Sequence, residues 1–572
     1  MWPSGPMTSG RLGPDNQHRR AKGCYCGRFI RPKNPWPDTQ LTDKGAFVAL
    51  NAIDWTVIAV YLVVVLIIGA AVTSKVTSGQ ELFLAGRSLG FVAVGLSLFA
   101  SNISSTTIIG VAGAAYKSGI SVAHYELMAS LILVFMALFT IPVFLRVRIT
   151  TIPEYLEKRF GPFVCKYVSA LTIFLSIFVD TAGSVYAGVL VIQILVPGTP
   201  FLPACIALAA FAGIYTAAGG LRAVVYTDVV QAIVLLVGTG VIAYEVFARF
   251  DFSWAQAVAS LPAEKLSMVR PLNDPQLPWL GVVIGLPVLG FFYWGTNQYI
   301  MQRVLGARSL DEARWGAMLA AALKLLPLFL MALPGAFAYS LLPHLDNGDQ
   351  VFPAMIVHFL PAGLTGLVLA GVIAAIMSTI DSTLNSASTL VLYDFIKVEE
   401  RGWEPKRVVA VGRLATVFFI LIAAFWPLVI RDFPGLFNYI QQVFSYAVPP
   451  IAAIFVLAMF WPRMTTAGAI ASLIFGHGLG AAILAWKIWT QGQGIADGLP
   501  HFTIVAGITT GLCAIVAVIA SLMSPKPDPA KVEAELWRRG DLDGGRGGGL
   551  SDFRWQAALI VVLVAIIIWV FR

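Results

Sequence analysis

Long apolar runs, broken at intervals by short polar clusters, set the rhythm of this chain. Fourteen of them are long enough to cross a bilayer as helix, which takes roughly 20 residues. They lie at about 54–74, 91–116, 120–146, 164–195, 201–220, 224–248, 277–301, 315–341, 353–393, 407–428, 436–461, 465–488, 501–523 and 554–571. The ninth run is long enough to hold a short outer helix, Val351 to Leu360, before its true span. Fourteen such segments predict an all-α polytopic membrane protein.

The most polar of these runs organises the rest. Between Gly371 and Thr389 the chain reads GVIAAIMSTIDSTLNSAST, with apolar residues on either side. Ser378, Ser382, Asn385, Ser386 and Thr389 recur at three- and four-residue steps and form one polar face on a helix. Hydroxyls alone are common glue between membrane helices. An ionisable residue at membrane depth is costly and marks a pathway, a partner or an ion. Asp381 lies inside the run, which turns the expectation toward a cation site.

Two other runs are interrupted in a similar way. The second span carries Ser101-Asn102-Ile103-Ser104-Ser105-Thr106-Thr107, and the seventh carries Tyr293-Trp294-Gly295-Thr296-Asn297-Gln298. They stand five spans apart, so equivalent helices cross in opposite directions. Paired broken helices in inverted halves point to a binding site at the bilayer midplane. Unwound backbone there frees carbonyls for a cation and amides for a solute.

Composition narrows the class. The chain has 572 residues, 58% hydrophobic and 12% charged, more apolar surface than a soluble fold can hide. Its net charge of +8 does not mark a nucleic-acid binder, because the Lys and Arg lie in short loops. Alternate loops hold Lys75 and Arg87; Arg146, Arg148, Lys158, Arg159 and Lys166; Arg222; Arg303, Arg308 and Arg314; Lys397 to Arg413; Arg463; and Lys526 to Arg554. The opposite set holds only Lys117, Arg249, Lys265, Arg270, Arg431, Lys487 and Arg572. By the positive-inside rule the first set is cytoplasmic, and both termini are expected outside, in a plasma membrane (a bacterial inner membrane). The basic, Pro- and Gly-rich residues 1–50 break that rule and read as a disordered tail, which a start codon called too far upstream would explain. Five cysteines give no disulfide framework, and Cys24 and Cys26 near His18 fall short of a four-ligand zinc set.

Candidate chemistry falls on a few residues. Free carbonyls at the first break, with the hydroxyls of Ser378 and Thr379, could give a sodium ion hard oxygen ligands without a formal negative charge. Lys324 lies about ten residues into its span, roughly 15 Å deep at 1.5 Å per residue. It calls for a polar cavity or a partner such as Glu126 or Asp381. Glu126 could accept hydroxyl protons from a solute, or sit at the outer interface. One of Gln441 and Gln442 is expected at the cavity, the other in packing. Tyr293-Trp294 reads equally as a packing pair or a stacking platform. Asp228 is either an ion ligand or the partner of Arg222.

The motifs FLAGRSL (83–89), ASNISSTTIIGVAG (100–113), TIPEYLEKRFG (151–161), GGLRAVVYTDVVQ (219–231), YWGTNQYIMQR (293–303), STIDSTLNSAST (378–389) and YIQQVFSYAVPP (439–450) resemble, in order, those of the sodium/solute symporter family, which includes the sodium–glucose cotransporters. The resemblance covers about residues 50–570. It implies a LeuT-type fold with inverted five-helix repeats at 91–248 and 277–461, one helix before and three after. It also implies Na+ as coupling ion, held by the carbonyls of Ala100, Ile103 and Ala375 and the hydroxyls of Ser378 and Thr379. Sugar-site positions of relatives fall on Asn102, Thr107, Glu126, Tyr293, Trp294, Lys324 and Gln441, with Tyr293 as inner gate. A second sodium would use Asp228, Asp381 and Ser382. Thr106, Thr107 and Gly290 depart from the sugar carriers and remove polar groups from one wall.

The expectation is therefore a sodium-coupled importer of a small hydroxylated solute, a sugar or polyol, working by alternating access. The rival cargo is an organic acid, vitamin or sialic-type acid, which Lys324 would suit. A nutrient sensor would need a signalling module, for which 524–553 is short. An enzyme would need a catalytic cluster, and the six His are scattered. No nucleic acid or obligate protein partner is implied.

Overall fold

The computed structural model describes residues 50–572 apart from 74–77, 196–197, 343–344, 362, 432–435, 494, 496 and 544–548. The basic tail, with His18, Cys24 and Cys26, lies outside the described residues. So does the expectation of disorder there.

The described chain is helical. Its elements run α1 (Ala52–Thr73), α2 (Phe91–Asn102), α3 (Ser105–Ser118), α4 (Ile120–Val147), α5 (Pro162–Gln193), α6 (Phe201–Gly213) and α7 (Gly220–Ala248). A second series follows: α8 (Trp279–Thr296), α9 (Gln298–Leu305), α10 (Leu310–Leu341), α11 (Val351–Phe359), α12 (Leu364–Ile396), α13 (Pro405–Ile430), α14 (Leu436–Ala447) and α15 (Pro449–Phe460). The last three are α16 (Thr466–Thr490), α17 (Phe502–Leu522) and α18 (Phe553–Val570). Thirteen spans result when α2–α3 and α14–α15 each count as one bent crossing. The expected fourteenth is α6, apolar but short. The separate short helix ahead of the ninth span is present as α11.

Why the helices break is local. After Asn102 the backbone leaves the helix at Ile103 (φ −76°, ψ 72°), and the chain turns by 56° into α3. The Ser104 amide donates to the Asn102 carbonyl at 2.8 Å, and the Thr107 amide to that of Ser104 at 3.0 Å. The carbonyls of Ala100 and Ile103 are thus left out of the i→i−4 ladder. Ser104 caps α3 by accepting from Thr107, the usual role of a serine at a helix start. The second break falls at Asn297, extended at φ −73°, ψ 128°, whose side chain caps α9. A third interruption, the 50° bend between α14 and α15 at Val448-Pro449, was not anticipated. The proline cannot donate to the ladder and starts a new helix cleanly.

Burial ranks the helices. In α12, 83% of the span window is buried, against 28% in α1 and 22% in α18. The most polar run is therefore the central one, and the outlying apolar helices are left to face lipid.

Gly220 joins α6 to α7 in a left-handed conformation (φ +62°), and an added Cβ would lie 2.7 Å from the Leu82 carbonyl oxygen. Gly220→Ala is expected to lower stability by about 2 kcal/mol, from backbone strain plus the clash. Gly478, with nothing within 4 Å of its would-be Cβ, should tolerate Ala within about 0.5 kcal/mol. Thermal unfolding of the two purified variants compares them directly.

Candidate functional site

Two polar centres lie side by side where the broken helices meet α12. The first is a buried ionic knot. Asp228 on α7 is fully buried and accepts from Ser97 Oγ (2.5 Å) and Ser101 Oγ (3.2 Å) of α2, and from Ser378 Oγ (2.5 Å) of α12. Arg303 on α9 donates from Nη2 to the same carboxylate (3.1 Å), from Nε to Ser97 Oγ (2.6 Å), and also to Ser382 Oγ and the Tyr299 carbonyl. A carboxylate at this depth is tolerable because a charge and three hydroxyls replace its water.

This changes the reading of Asp228. Arg222 donates to Ser88 Oγ at 3.4 Å instead, so the partner of Asp228 is Arg303, on a different helix. The place expected for a second sodium holds this guanidinium between Asp228 and Ser382. Asp381 is buried one residue away from Ser382 on the same helix.

The expected first-sodium residues converge next to the knot. Ala100, Ile103, Ala375 and Ser378 are all buried, with Ser378 Oγ 3.5 Å from Ser101 Oγ. Thr379 donates to the Ala375 carbonyl at 3.1 Å and also lines the adjoining cavity. One helix face thus touches both centres. Further along α12 the hydroxyls serve packing: Ser388 meets Thr416 at 2.8 Å, and Thr389 accepts from Gln302 at 3.0 Å.

The second centre is a cavity of about 100 Å³. Six of the seven expected solute residues line it: Asn102, Thr107, Glu126, Tyr293, Trp294 and Gln441. Lys324, the seventh, stands behind Glu126 rather than in the wall. Its ammonium lies 2.5 Å from Glu126 Oε2, with the rings of Trp294 and Phe99 at 5.4 and 5.9 Å. Of its two offered partners, Glu126 is the one it has. Gln441 lines the cavity, whereas Gln442, expected in packing, lines a separate cleft with Lys487 and Asp497. Gly290 lines the cavity where the packing is tight, since an added Cβ would lie 3.0 Å from Ile132.

Aromatic rings bound the cavity. Tyr125 and Phe437 meet edge-on at 5.1 Å, and Tyr299 donates its hydroxyl proton to Tyr293 at 2.5 Å. Tyr293 and Trp294 sit in a π-helical turn, Phe291–Thr296, just before the second break. Such wide turns recur at functional sites because they re-aim side chains inside a helix.

Asp180 is the residue that sequence reasoning missed. It lines the cavity from a second π-helical turn, Ser176–Thr181, and its Oδ2 has no hydrogen-bond partner among the described residues. The signal was available, since SIFVDTAG places an acid in the middle of an apolar span. Asn102 Oδ1 is likewise buried with no partner. Among the described residues no group of His, Cys, Asp and Glu is arranged to hold a transition metal.

Interrupted helices that release backbone carbonyls beside an enclosed polar cavity define a secondary transporter. Comparison makes this specific. Residues 82–476 match the family description "SSF: Sodium:solute symporter family", and the chain belongs to that family. It is 34% identical to human sodium/glucose cotransporter 4 over 541 residues, covering 86% of this chain and 79% of that one. Mouse sodium/myo-inositol cotransporter is 32% identical, with 84% and 74% covered. Among solved structures, a Na+-coupled sialic acid symporter in its substrate-bound outward-open state superposes with a TM-score of 0.72 at 24% identity, covering 84% of this chain and 99% of that one. Mhp1, a nucleobase-cation-symport-1 family transporter, gives 0.52 at 16%, covering 81% and 98%. The LeuT-type fold expected from the motifs is thus borne out. The protein is a multi-pass membrane transporter with sodium as coupling ion, and not an enzyme.

The Lys324–Glu126 pair is buried enough for its breakage to be informative. Lys324→Met or Glu126→Leu alone should each cost about 3–5 kcal/mol by stranding one charge. A Lys324→Met/Glu126→Leu double variant should lose far less than the sum of the two single changes. Thermal midpoints of the four proteins in detergent form the cycle that checks it.

Proposed function

We propose that this protein imports a sugar or polyol together with sodium by alternating access. The carrying observation is the pair of buried acceptors at the cavity, Asn102 Oδ1 and Asp180 Oδ2, neither with a hydrogen-bond partner among the described residues. Buried acceptors are normally satisfied. A solute with several hydroxyls supplies the missing donors, and the similarity to glucose and myo-inositol cotransporters supports the same chemistry.

The charges around the cavity argue against the carboxylate alternative. Lys324, its main support, is committed to Glu126 and stands outside the cavity wall. A carboxylate solute would therefore find that ammonium already paired.

Sodium would sit at the first break, with Ala100, Ile103 and Ala375 giving carbonyls and Ser378 and Thr379 hydroxyls. The wall residues Asn102, Thr107, Glu126, Tyr293, Trp294 and Gln441 would hold the solute, with Lys324 setting the position of Glu126. Arg303 already supplies the positive charge between Asp228 and Ser382, which favours one sodium per cycle in this arrangement. The repeats at 91–248 and 277–461 would rock about the site, with the Arg-rich loops cytoplasmic and both termini outside a plasma membrane. One charge crossing 100 mV yields about 2.3 kcal/mol, and a tenfold sodium gradient about 1.4 kcal/mol. Together they sustain a several-hundredfold solute gradient.

Uptake into proteoliposomes under a sodium gradient, with labelled sugars, polyols and carboxylates, tests the cargo. Sugar or polyol uptake is expected, and preference for a carboxylate would overturn the reading. Ser378→Ala and Thr379→Ala should raise the sodium half-saturation about tenfold, the loss of one or two ligand contacts. Asp180→Asn and Asn102→Ala should raise the cargo half-saturation by a similar factor with little effect on that of sodium.

A further inference from the structure

Away from the transport site, four arginines from three separate turns converge on one cleft. Arg87 follows the short helix Gly79–Leu84, Arg146 and Arg148 end α4, and Arg308 lies between α9 and α10. The cleft has a volume of about 610 Å³, and its remaining polar lining includes Ser309 and Asp541. The turns are joined through their backbones: Leu89 N–H donates to Gly306 O, and Arg308 N–H to Leu89 O, both at 3.0 Å. Arg87 Nη2 donates to the Ile149 carbonyl at 3.0 Å.

The charges there are not balanced. Arg146 pairs with Asp541, and Arg308 with Glu312. Among the described residues, neither Arg87 nor Arg148 has a carboxylate at ion-pair distance. The Arg87 guanidinium is held below its ordinary range by burial, then by the positive charge of Arg148, against opposing effects of Glu154 and Glu399. Both residues also hold left-handed backbone (φ +51° and +54°), a conformation that ordinary residues avoid. Basic loops at a membrane face need only be scattered and solvated to set topology. These converge on one cleft, where each uncompensated charge raises the cost of the next.

We propose that this cleft is a binding site for a phosphate group, carried by an acidic phospholipid headgroup or present as free phosphate. Arginine forks match phosphate oxygens in bidentate geometry, and basic pockets between transmembrane helices take lipid headgroups. A bound phosphate would relieve the repulsion between Arg87 and Arg148. It would also bridge the entry to α2, the end of α4 and the α9–α10 turn. The site stands independently of the cargo.

The full-length protein in phosphatidylcholine nanodiscs, with or without phosphatidylglycerol, gives one arm, read by native mass spectrometry of retained lipid. Pyrophosphate added to phosphatidylcholine nanodiscs at constant ionic strength gives the other, read by the thermal midpoint. Arg148 is exposed and its side chain has no protein partner among the described residues, so its substitution leaves the fold intact. Arg148→Ala and Arg148→Glu should weaken binding about tenfold or more in whichever arm is positive, with Arg401→Ala, an exposed residue that does not line the cleft, unchanged. Retained phosphatidylglycerol that pyrophosphate does not displace identifies a headgroup site, and stabilisation by pyrophosphate without acidic lipid a free-phosphate site. Wild-type behaviour of Arg148→Glu in both arms overturns the proposal, as does an equal loss in Arg401→Ala.

Discussion

The buried contact between Asp228 and Arg303 is the constraint around which the core is arranged. It draws α2, α7, α9 and α12 to one point at membrane depth, with Ser97, Ser101, Ser378 and Ser382 completing the coordination. Two charges removed from water are weak evidence of net stability, yet each is costly without the other. The pair therefore acts as a registry device: α9 and α7 can slide or rotate little without stranding a charge. The carbonyls freed by the first break are held beside α12 by the same serines, so the proposed ion site and the ionic knot share one scaffold.

The cavity follows a related logic. A membrane helix satisfies its own backbone, and any departure must be made good by something else. Here the departures cluster: the breaks at Ile103 and Asn297, the bend at Pro449 and the π-helical turns that carry Asp180 and Tyr293. The aromatic rings and the Lys324–Glu126 pair close the surroundings, leaving a small number of acceptors for a solute. Such a site suits a neutral, hydroxyl-bearing molecule, because the nearby ammonium of Lys324 is already paired with Glu126.

Much of this was legible in the residues. Span positions, the separate helix α11 and both predicted breaks follow from polar clusters inside apolar runs. So does the central place of 371–389, since a polar face inside lipid must be buried by neighbours. The bend at Pro449 was missed because a proline at a span's middle can be tolerated without one. Asp180 was passed over although Ser169, Thr172, Ser176 and Ser184 recur with it at three- and four-residue steps, because the denser polar run at 378–389 drew the attention. The partner of Asp228 was misjudged because Arg222 is nearer in sequence.

Local pattern thus determined which segments cross the membrane, where they break and which faces are polar, because lipid obliges each segment to meet its own backbone and hydropathy demands. Tertiary packing alone decided which charges met. Arg303 is 75 residues from Asp228, and Lys324 is 198 from Glu126. Ion pairing is set by distance and desolvation in the folded bundle, and spacing along the chain carries no record of either.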